Sequence, residues 1–262
     1  MTDSNAQQLL AFSDEGDPAG SVVVMGSSLG TTRAMWDRQI PALGHQFRMI
    51  RFDHLGHGES PVPDGPYTLE QLGNGVLRLM DSLNIEKASY VGLSMGGILG
   101  MWLGINAPER IDRLVLMCTA ANFPTEESWR ERAGLVRANG VEAVSGAVLE
   151  RWFTERMRNE QPDVLAPYAA MVAGTPAEGY AGSCEALATA DLREDIRSIT
   201  APTLAIAGAD DPSTPPDKLR LIAERIPGAQ LQIIAQAAHL ANVEQAETVN
   251  ALLITHLAGS GT

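Results

Sequence analysis

Six short apolar runs, separated by helical patterns, constrain the fold of this chain more than any other feature of its sequence. Each run is four or five residues long and includes β-branched side chains. Strands that are buried on both faces of a parallel sheet have this appearance, so the runs predict such a sheet. The runs are Val22–Met25, Met49–Phe52, Ala88–Val91, Leu114–Cys118, Leu204–Ala207 and Leu231–Ile234.

The segments between these runs have the pattern of helices. Thr68–Leu83 places its apolar residues in one stripe with a period of 3.6. Further helices are predicted from about Ser94 to Pro108, over Asp217–Arg225 and over Gln245–Leu257. Strands that alternate with helices predict an α/β fold with a doubly wound, mostly parallel sheet.

One interval breaks the alternation. Between Cys118 and Leu204 no core strand is recognisable, and the sequence is helical in three stretches that begin at Thr125, Val141 and Pro176. We therefore predict a helical cap over residues 122–199, inserted into a core formed by residues 1–121 and 200–262. Such lids exclude water and shape substrate pockets; the alternative is that these helices only thicken the core.

Charge and hydropathy limit the partners of the protein. The formal net charge is −13, which disfavours nucleic acid and anionic membranes, because a polyanion requires a basic patch. No apolar run reaches 18 residues, so a membrane span is not expected. The first 17 residues lack a basic segment followed by an apolar one, and a cytoplasmic location is expected.

The sequence Gly92-Leu93-Ser94-Met95-Gly96 lies between a predicted strand and a predicted helix. It matches G-x-S-x-G, a sharp turn that exposes a nucleophilic serine at a strained apex. Glycines two residues before and after Ser94 leave room for the neighbouring backbone. A phosphate-binding loop is the alternative, but Ser94 occupies the position of the middle glycine in G-x-G-x-x-G.

A serine hydroxyl needs a base to become a nucleophile. Of five histidines, His45 and His256 are expected on the surface. His54 and His57 belong to a tight loop after a strand, which we favour over a metal site; no metal is predicted. His239 follows the last strand, at the sheet end where ligands of α/β folds bind, and is the predicted base.

The base in turn needs a carboxylate to orient it. Asp210 and Asp211 both follow the strand Leu204–Ala207, which ends on the same side of the sheet. Asp211 directly precedes the turn Pro212–Pro215, where the α/β-hydrolases that these motifs resemble usually carry the acid, and it is chosen on that resemblance. The reverse assignment, to Asp210, stays open.

Acyl chemistry also needs donors for an oxyanion. The Met95 N–H, directly after the nucleophile, is one predicted donor. The second is the Leu29 N–H, in the loop Gly26–Gly30 after the first apolar run. That loop lacks the His-Gly pair that many α/β-hydrolases, which these motifs resemble, have at this place. Ser27 or Ser28 is expected to make the hydrogen bonds of the absent histidine.

Together these motifs resemble the α/β-hydrolase superfamily, in which the triad has the order Ser, Asp, His. Within it the chain is similar to the bacterial 3-oxoadipate enol-lactonases over essentially its whole length. The specific stretches are SSLGTTRAMWD, RFDHLGHGESPVPDGPYTLEQL, ERWFT and GYAGSCEALATADLRE. Ser27 and Ser183 depart from that family, which more often has Asn and Cys there.

The resemblance implies hydrolysis of 3-oxoadipate enol-lactone to 3-oxoadipate in the catabolism of aromatic compounds, without a cofactor. Alternatives are a carboxylesterase or perhydrolase for small neutral esters, and a binding module that has lost catalysis. The implied partner is a small lactone with a free carboxylate. The oligomeric state is not predicted.

The carboxylate of such a substrate requires a cation. The predicted cap contains eight arginines and no lysine, and guanidinium groups bind carboxylates with two hydrogen bonds. We predict Arg132, next to Trp129 in the sequence Trp-x-x-Arg, as the ligand, with Arg33 as the second candidate. Trp129 and Tyr180 are predicted to line the pocket.

Overall fold

The computed structural model describes residues 9–259. The described part of the chain does not include residues 1–8 and 260–262. The outer ends of the predicted core segments and the start of the N-terminal stretch therefore lie outside it. Seven strands form one sheet: β1 Phe12–Gly16, β2 Ser21–Gly26, β3 Phe47–Phe52, β4 Ala88–Leu93, β5 Ile111–Met117, β6 Thr203–Gly208 and β7 Gln230–Ile234.

The sheet has the order β1-β3-β2-β4-β5-β6-β7, and every neighbouring pair is parallel except β1 and β3. The prediction of a mostly parallel sheet is confirmed. Strand β1 was missed because Phe-Ser-Asp-Glu-Gly is mainly polar and lies exposed at the sheet edge. Strand β7, at the other edge, is also partly exposed and not buried on both faces as predicted.

The strand order reverses between β2 and β4, because the chain adds β3 on one side and β4 on the other. Gly26 at the end of β2 lies opposite Gly92 in β4. The loops that follow these two strands therefore meet at the same sheet end. Ligands of α/β sheets bind at such a reversal point, and here it brings the loop after Gly26 next to Ser94.

Within residues 9–259 six α-helices lie outside the interval between β5 and β6: α1 Ile40–Leu43, α2 Leu69–Ser82, α3 Met95–Asn106, α9 Pro216–Arg225, α10 Ala241–Glu244 and α11 Ala246–Leu257. Thr68 caps the start of helix α2, and its hydroxyl accepts a hydrogen bond from the Gln71 N–H at 3.0 Å. Helix α3 packs against β2, β4 and β5 and is apolar on nearly all sides. All residues of the first part of α3, from Met95 to Met101, are buried.

Five helices lie between β5 and β6: α4 Glu126–Asn139, α5 Glu142–Trp152, α6 Glu155–Glu160, α7 Pro162–Ala173 and α8 Ala177–Thr189. We propose that they form the predicted cap. Helix α7 was not predicted, since Pro162 and Pro167 obscure its pattern. The stretch from Val141 to Met157 is two helices, because the chain becomes extended at Phe153.

Ion pairs and backbone hydrogen bonds attach these five helices to each other and to the core. Arg137 of α4 binds both Glu178 and Glu185 of α8. The Leu240 N–H donates to the Trp152 carbonyl oxygen at 3.0 Å. The end of α5 is thereby held beside the loop that carries His239. No helix within residues 9–259 has the length and apolar content required to cross a bilayer.

Candidate active site

Ser94 joins β4 to α3 in a backbone conformation that residues other than glycine rarely adopt. Its φ is 58° and its ψ is −113°. The Ser94 N–H donates to Met117 O at 2.9 Å, and the Thr119 hydroxyl donates to Ser94 O at 2.7 Å. These bonds to the last residue of β5 and to the segment that follows it hold a backbone that would otherwise relax, as strained residues in functional sites require.

The glycines around Ser94 are required by close backbone contacts. A Cβ on Gly92 would lie 2.1 Å from Gly96 O, and a Cβ on Gly96 would lie 2.2 Å from Gly26 O. Both distances are too short for real atoms. The prediction that crowding demands glycine at these positions is confirmed.

His239 and Asp211 form a buried hydrogen-bonded pair. The His239 Nδ1 atom lies 2.8 Å from Asp211 Oδ2, and each residue is 3 % exposed. A carboxylate at Nδ1 favours the tautomer that carries its proton there, which leaves Nε2 as the basic nitrogen. Asp210 is exposed and its carboxylate takes no part in this pair.

Thr214 completes the surroundings of the Asp211 carboxylate and was not identified from the sequence. Its hydroxyl donates to Asp211 Oδ2 at 2.6 Å, and the N–H groups of Ser213 and Thr214 donate to Oδ1 at 2.8 and 3.1 Å. Burial raises the pKa of Asp211, but the charge and hydrogen bonds of His239 and Thr214 outweigh it and hold the pKa below its usual value. The carboxylate is therefore kept ionised beside His239.

The two predicted oxyanion donors lie in the loops that meet at the strand reversal. Leu29 follows β2, and Met95 is the first residue of α3. Neither N–H donates a hydrogen bond to any residue between 9 and 259. Two free N–H groups next to Ser94 are what a developing oxyanion needs.

His54 and His57 support the loop that carries Leu29. The His54 Nε2 atom lies 2.8 Å from Ser27 O, and the Gly30 N–H donates to His57 Nε2 at 3.0 Å. Burial lowers the pKa of His54 to about 3 and that of His57 to about 4. Both rings are thus neutral at pH 7, as the acceptor role of His57 Nε2 requires.

The predicted tight loop around these two histidines is present. Asp53, which precedes His54, accepts the Arg33 and Glu59 N–H groups and forms an ion pair with the Arg33 guanidinium. Within residues 9–259 no three or more His, Cys, Asp or Glu side chains are grouped so as to hold a metal ion. Ser27 donates its hydroxyl proton to Thr32 O at 3.2 Å.

A cavity of about 180 Å³ lies over Ser94 and His239. It is small, since ligand pockets typically measure about 300–1,000 Å³. None of its lining residues in the described chain is acidic. They are Ser28, Leu29, Ser94, Phe123, Trp129, Arg132, Val148, Arg151, Trp152, Tyr180, Ser213 and His239.

Comparison with known proteins agrees with this geometry. A family model for the alpha/beta hydrolase fold matches residues 21–246. The chain belongs to the α/β hydrolase family. Relatives of this hydrolase include two enzymes of Acinetobacter baylyi, the 3-oxoadipate enol-lactonases 1 and 2, to which it is 38 % and 37 % identical. The alignments cover 94 % and 92 % of this chain and 92 % and 90 % of those enzymes.

A solved structure supports the same relationship. The enol-lactonase of Burkholderia xenovorans LB400 superimposes with a TM-score of 0.93 and is 39 % identical. The superposition covers 95 % of this chain and 96 % of that one. The likeness therefore includes the five helices between β5 and β6 as well as the sheet.

Trp129, Arg132 and Tyr180, the predicted substrate-binding residues of this hydrolase, line the cavity together. The Arg132 guanidinium lies 5.3 Å from the ring centres of both Trp129 and Tyr180 and donates to the Tyr180 hydroxyl. Stacking between two aromatic faces stabilises a cation. Arg132 is thereby held at the cavity wall.

Arg33, the second candidate for the substrate carboxylate, does not line the cavity. Its guanidinium forms ion pairs with Asp53 and Glu59 and lies outside the cavity wall, so this second choice is not supported. Arg151 lines the cavity instead and was not predicted. The only sequence signal was its place in Glu-Arg-Trp-Phe-Thr, and the face of α5 on which it lies was decided by packing. His256, predicted on the surface, is half-buried.

Proposed function

We propose that this hydrolase opens the lactone ring of 3-oxoadipate enol-lactone to give 3-oxoadipate. Enol-lactonases are among its relatives at 37–39 % identity over most of both chains. The observation that carries the proposal is the cavity, in which Ser94 and His239 share a small volume with two guanidinium groups and no acid. Such a site is suited to a compact substrate that has both an ester bond and a carboxylate.

In the proposed reaction His239 Nε2 takes the proton of the Ser94 hydroxyl, and Ser94 Oγ attacks the lactone carbonyl carbon. The tetrahedral oxyanion accepts hydrogen bonds from the Leu29 and Met95 N–H groups. Each such donor contributes about 10²–10³ in turnover. The Asp211 carboxylate stabilises the imidazolium that forms.

Collapse of the intermediate breaks the bond between the acyl carbon and the ring oxygen. The ring oxygen leaves as an enolate, which takes up the proton from His239 and becomes a ketone. Water then attacks the acyl-enzyme with His239 as base, and the second carboxylate is released from Ser94. One lactone and one water thus give one dicarboxylate.

We further propose that Arg132 contacts the free carboxylate of the substrate. The guanidinium is already oriented by Trp129 and Tyr180, so little freedom is lost on binding. We expect Arg132→Ala to raise KM far more for the enol-lactone than for a neutral ester. An equal loss on both substrates would refute this role.

The alternatives fit the cavity less well. A small neutral ester would leave two half-buried guanidinium groups without a counter-charge, which is unfavourable. A binding module would not require the His239–Asp211 pair at 2.8 Å beside a strained serine. A role in the cytoplasmic breakdown of aromatic compounds belongs to the same proposal.

The decisive experiment is turnover of enzymatically generated enol-lactone, compared with hydrolysis of p-nitrophenyl acetate. We expect a kcat/KM for the lactone at least tenfold higher than for the neutral ester, and loss of both activities in Ser94→Ala. A fluorophosphonate probe should label wild type but not Ser94→Ala. Ester hydrolysis without lactone turnover would favour the esterase; failure to label would favour a binding module.

A further inference from the structure

Arg151 is a half-buried cation at the cavity wall with no hydrogen-bond or ion-pair partner among residues 9–259. It lies in the last turn of α5, next to Trp152, and both line the cavity. Its guanidinium makes no ion pair with any residue between 9 and 259, whereas Arg137 binds both Glu178 and Glu185. Half-buried charges are normally paired, so Arg151 has an unused capacity for an anion.

The surroundings of Arg151 disfavour its charge. Burial lowers the pKa of Arg151, and the neighbouring Arg132 lowers it further, while Tyr180 and Glu150 have the opposite effect. Two like charges in a site of low polarity repel each other. A carboxylate bound between Arg132 and Arg151 would replace this repulsion with two attractions.

The two arginines are not equivalent. Arg132 is stacked between Trp129 and Tyr180 and donates to the Tyr180 hydroxyl, so part of its hydrogen-bonding capacity is used. The Arg151 side chain donates no hydrogen bond to the described part of the chain, so its whole planar fork is available. A free fork can bind a carboxylate with two parallel hydrogen bonds.

Both guanidinium groups can also be reached from outside the cavity. A second, more open cavity of about 420 Å³ lies between α4 and α5 and shares Trp129, Arg132 and Arg151 with the first. Leu135, Val144 and Ala147 supply part of its other wall. The arginine pair therefore borders both cavities.

We propose that Arg151 binds the carboxylate of the substrate together with Arg132 and that this contact determines the preference of the enzyme for anionic ligands. This assignment rests on the proposed function only for the identity of the substrate. It holds for any small ester or lactone that carries a carboxylate. Ser94, His239 and Asp211 perform the chemistry without it.

The first test uses Arg151→Gln, which keeps a polar side chain of similar reach but removes the charge. We expect KM for the enol-lactone to rise about 10–100-fold, in line with the loss of hydrogen bonds to a charged group. The kcat/KM for p-nitrophenyl acetate should change less than threefold. Arg156→Gln, which removes the charge of an exposed arginine of α6, is the matched control and should leave both values unchanged.

The second test does not depend on lactone turnover. Adipate, a dicarboxylate, is used as an inhibitor of p-nitrophenyl acetate hydrolysis. We expect competitive inhibition of wild type, at least tenfold weaker inhibition of Arg151→Gln, and partial recovery in Arg151→Lys. If adipate inhibits in this way while the lactone is not turned over, the proposed function fails and the role of Arg151 stands.

Two results would overturn the role of Arg151. One is an equal loss of activity on the enol-lactone and on p-nitrophenyl acetate, which would mean that Arg151 only supports the fold of α5. The other is unchanged inhibition by adipate in Arg151→Gln. A Tm within about 2 °C of wild type for Arg151→Gln establishes that the variant is folded for both tests.

Discussion

The Nδ1 atom of His239 lies 2.8 Å from Oδ2 of Asp211. This hydrogen bond joins the loop after β7 to the loop after β6, whose strands are neighbours in the sheet. Thr214 and two backbone N–H groups also bind the carboxylate and orient Asp211 towards His239. The position of His239 therefore depends on Asp211, and four predictions follow from this site and its supports.

Asp211→Asn should reduce kcat about 10⁴-fold with little change in Tm, because the amide favours the wrong tautomer of the imidazole. Hydrolysis of p-nitrophenyl acetate measures this. Asp210→Asn is the matched control, since Asp210 is the neighbouring exposed aspartate, and it should retain the activity of wild type. The opposite result for the two variants would assign the acid to Asp210.

His57→Leu should lower kcat by up to about 10²-fold with KM nearly unchanged. The Gly30 N–H then loses its acceptor at His57 Nε2, and the neighbouring Leu29 N–H is less well positioned for the oxyanion. His57→Gln retains an acceptor and should recover part of kcat. If kcat and Tm decrease by the same amount in His57→Leu and His57→Gln, the role of His57 is to stabilise the fold and not to position the loop.

The free energy of unfolding should decrease as the pH falls from about 6.5 towards 4. His54 and His57 have pKa values of about 3 and 4 in the folded protein but 6.5 when unfolded, so the unfolded chain binds more protons in this window. Each histidine contributes up to about 1.4 kcal/mol per pH unit. The charge of His57 acts on His54, and the charge of Asp53 acts on His57.

Urea denaturation at a series of pH values measures this dependence. Carboxyl groups with lowered pKa values, such as Asp211 and Glu178, add to this loss only near the acid end of the window, where the unfolded carboxyls begin to bind protons. His57→Gln should give a shallower slope than wild type. His45→Gln, which changes an exposed histidine, should have the same slope as wild type. Equal slopes in wild type, His57→Gln and His45→Gln would contradict the role of His57 in this pH dependence.

Gly96→Ala should destabilise the protein by about 3 kcal/mol, since its Cβ would lie 2.2 Å from the backbone oxygen of Gly26. Gly146→Ala is the matched substitution within a helix, where a Cβ would have no atom within 4 Å. It should stabilise by about 0.5–1 kcal/mol. Thermal unfolding compares the two variants, and destabilisation by Gly146→Ala would contradict the open environment of that residue.

Much of the fold was predictable because buried parallel strands are apolar runs, which the sequence displays directly. Strand β1 was not predictable in this way, because an exposed edge strand needs only backbone partners. Helix α7 was missed because Pro162 and Pro167 interrupt the usual pattern. The break at Phe153 between α5 and α6 depends on contacts with the core, such as the Leu240–Trp152 hydrogen bond.

The sequence by itself determined the elements of the candidate catalytic site. Strand, turn and helix signals around Ser94, and the places of Asp211 and His239 after later strands, follow from local patterns and the parallel direction of the sheet. Gly92 and Gly96 were predictable for the same reason, since a sharp turn at the end of a strand crowds the backbone in any protein.

Only the tertiary structure decided which cations face the cavity. Arg33 is close in sequence to Leu29 but binds Asp53 and Glu59, while Arg151, more than 50 residues after Ser94, lines the cavity. The direction of a side chain on a helix depends on which faces of α4, α5 and α8 are buried against each other. That packing joins residues far apart in the chain, and no local pattern around an arginine records it.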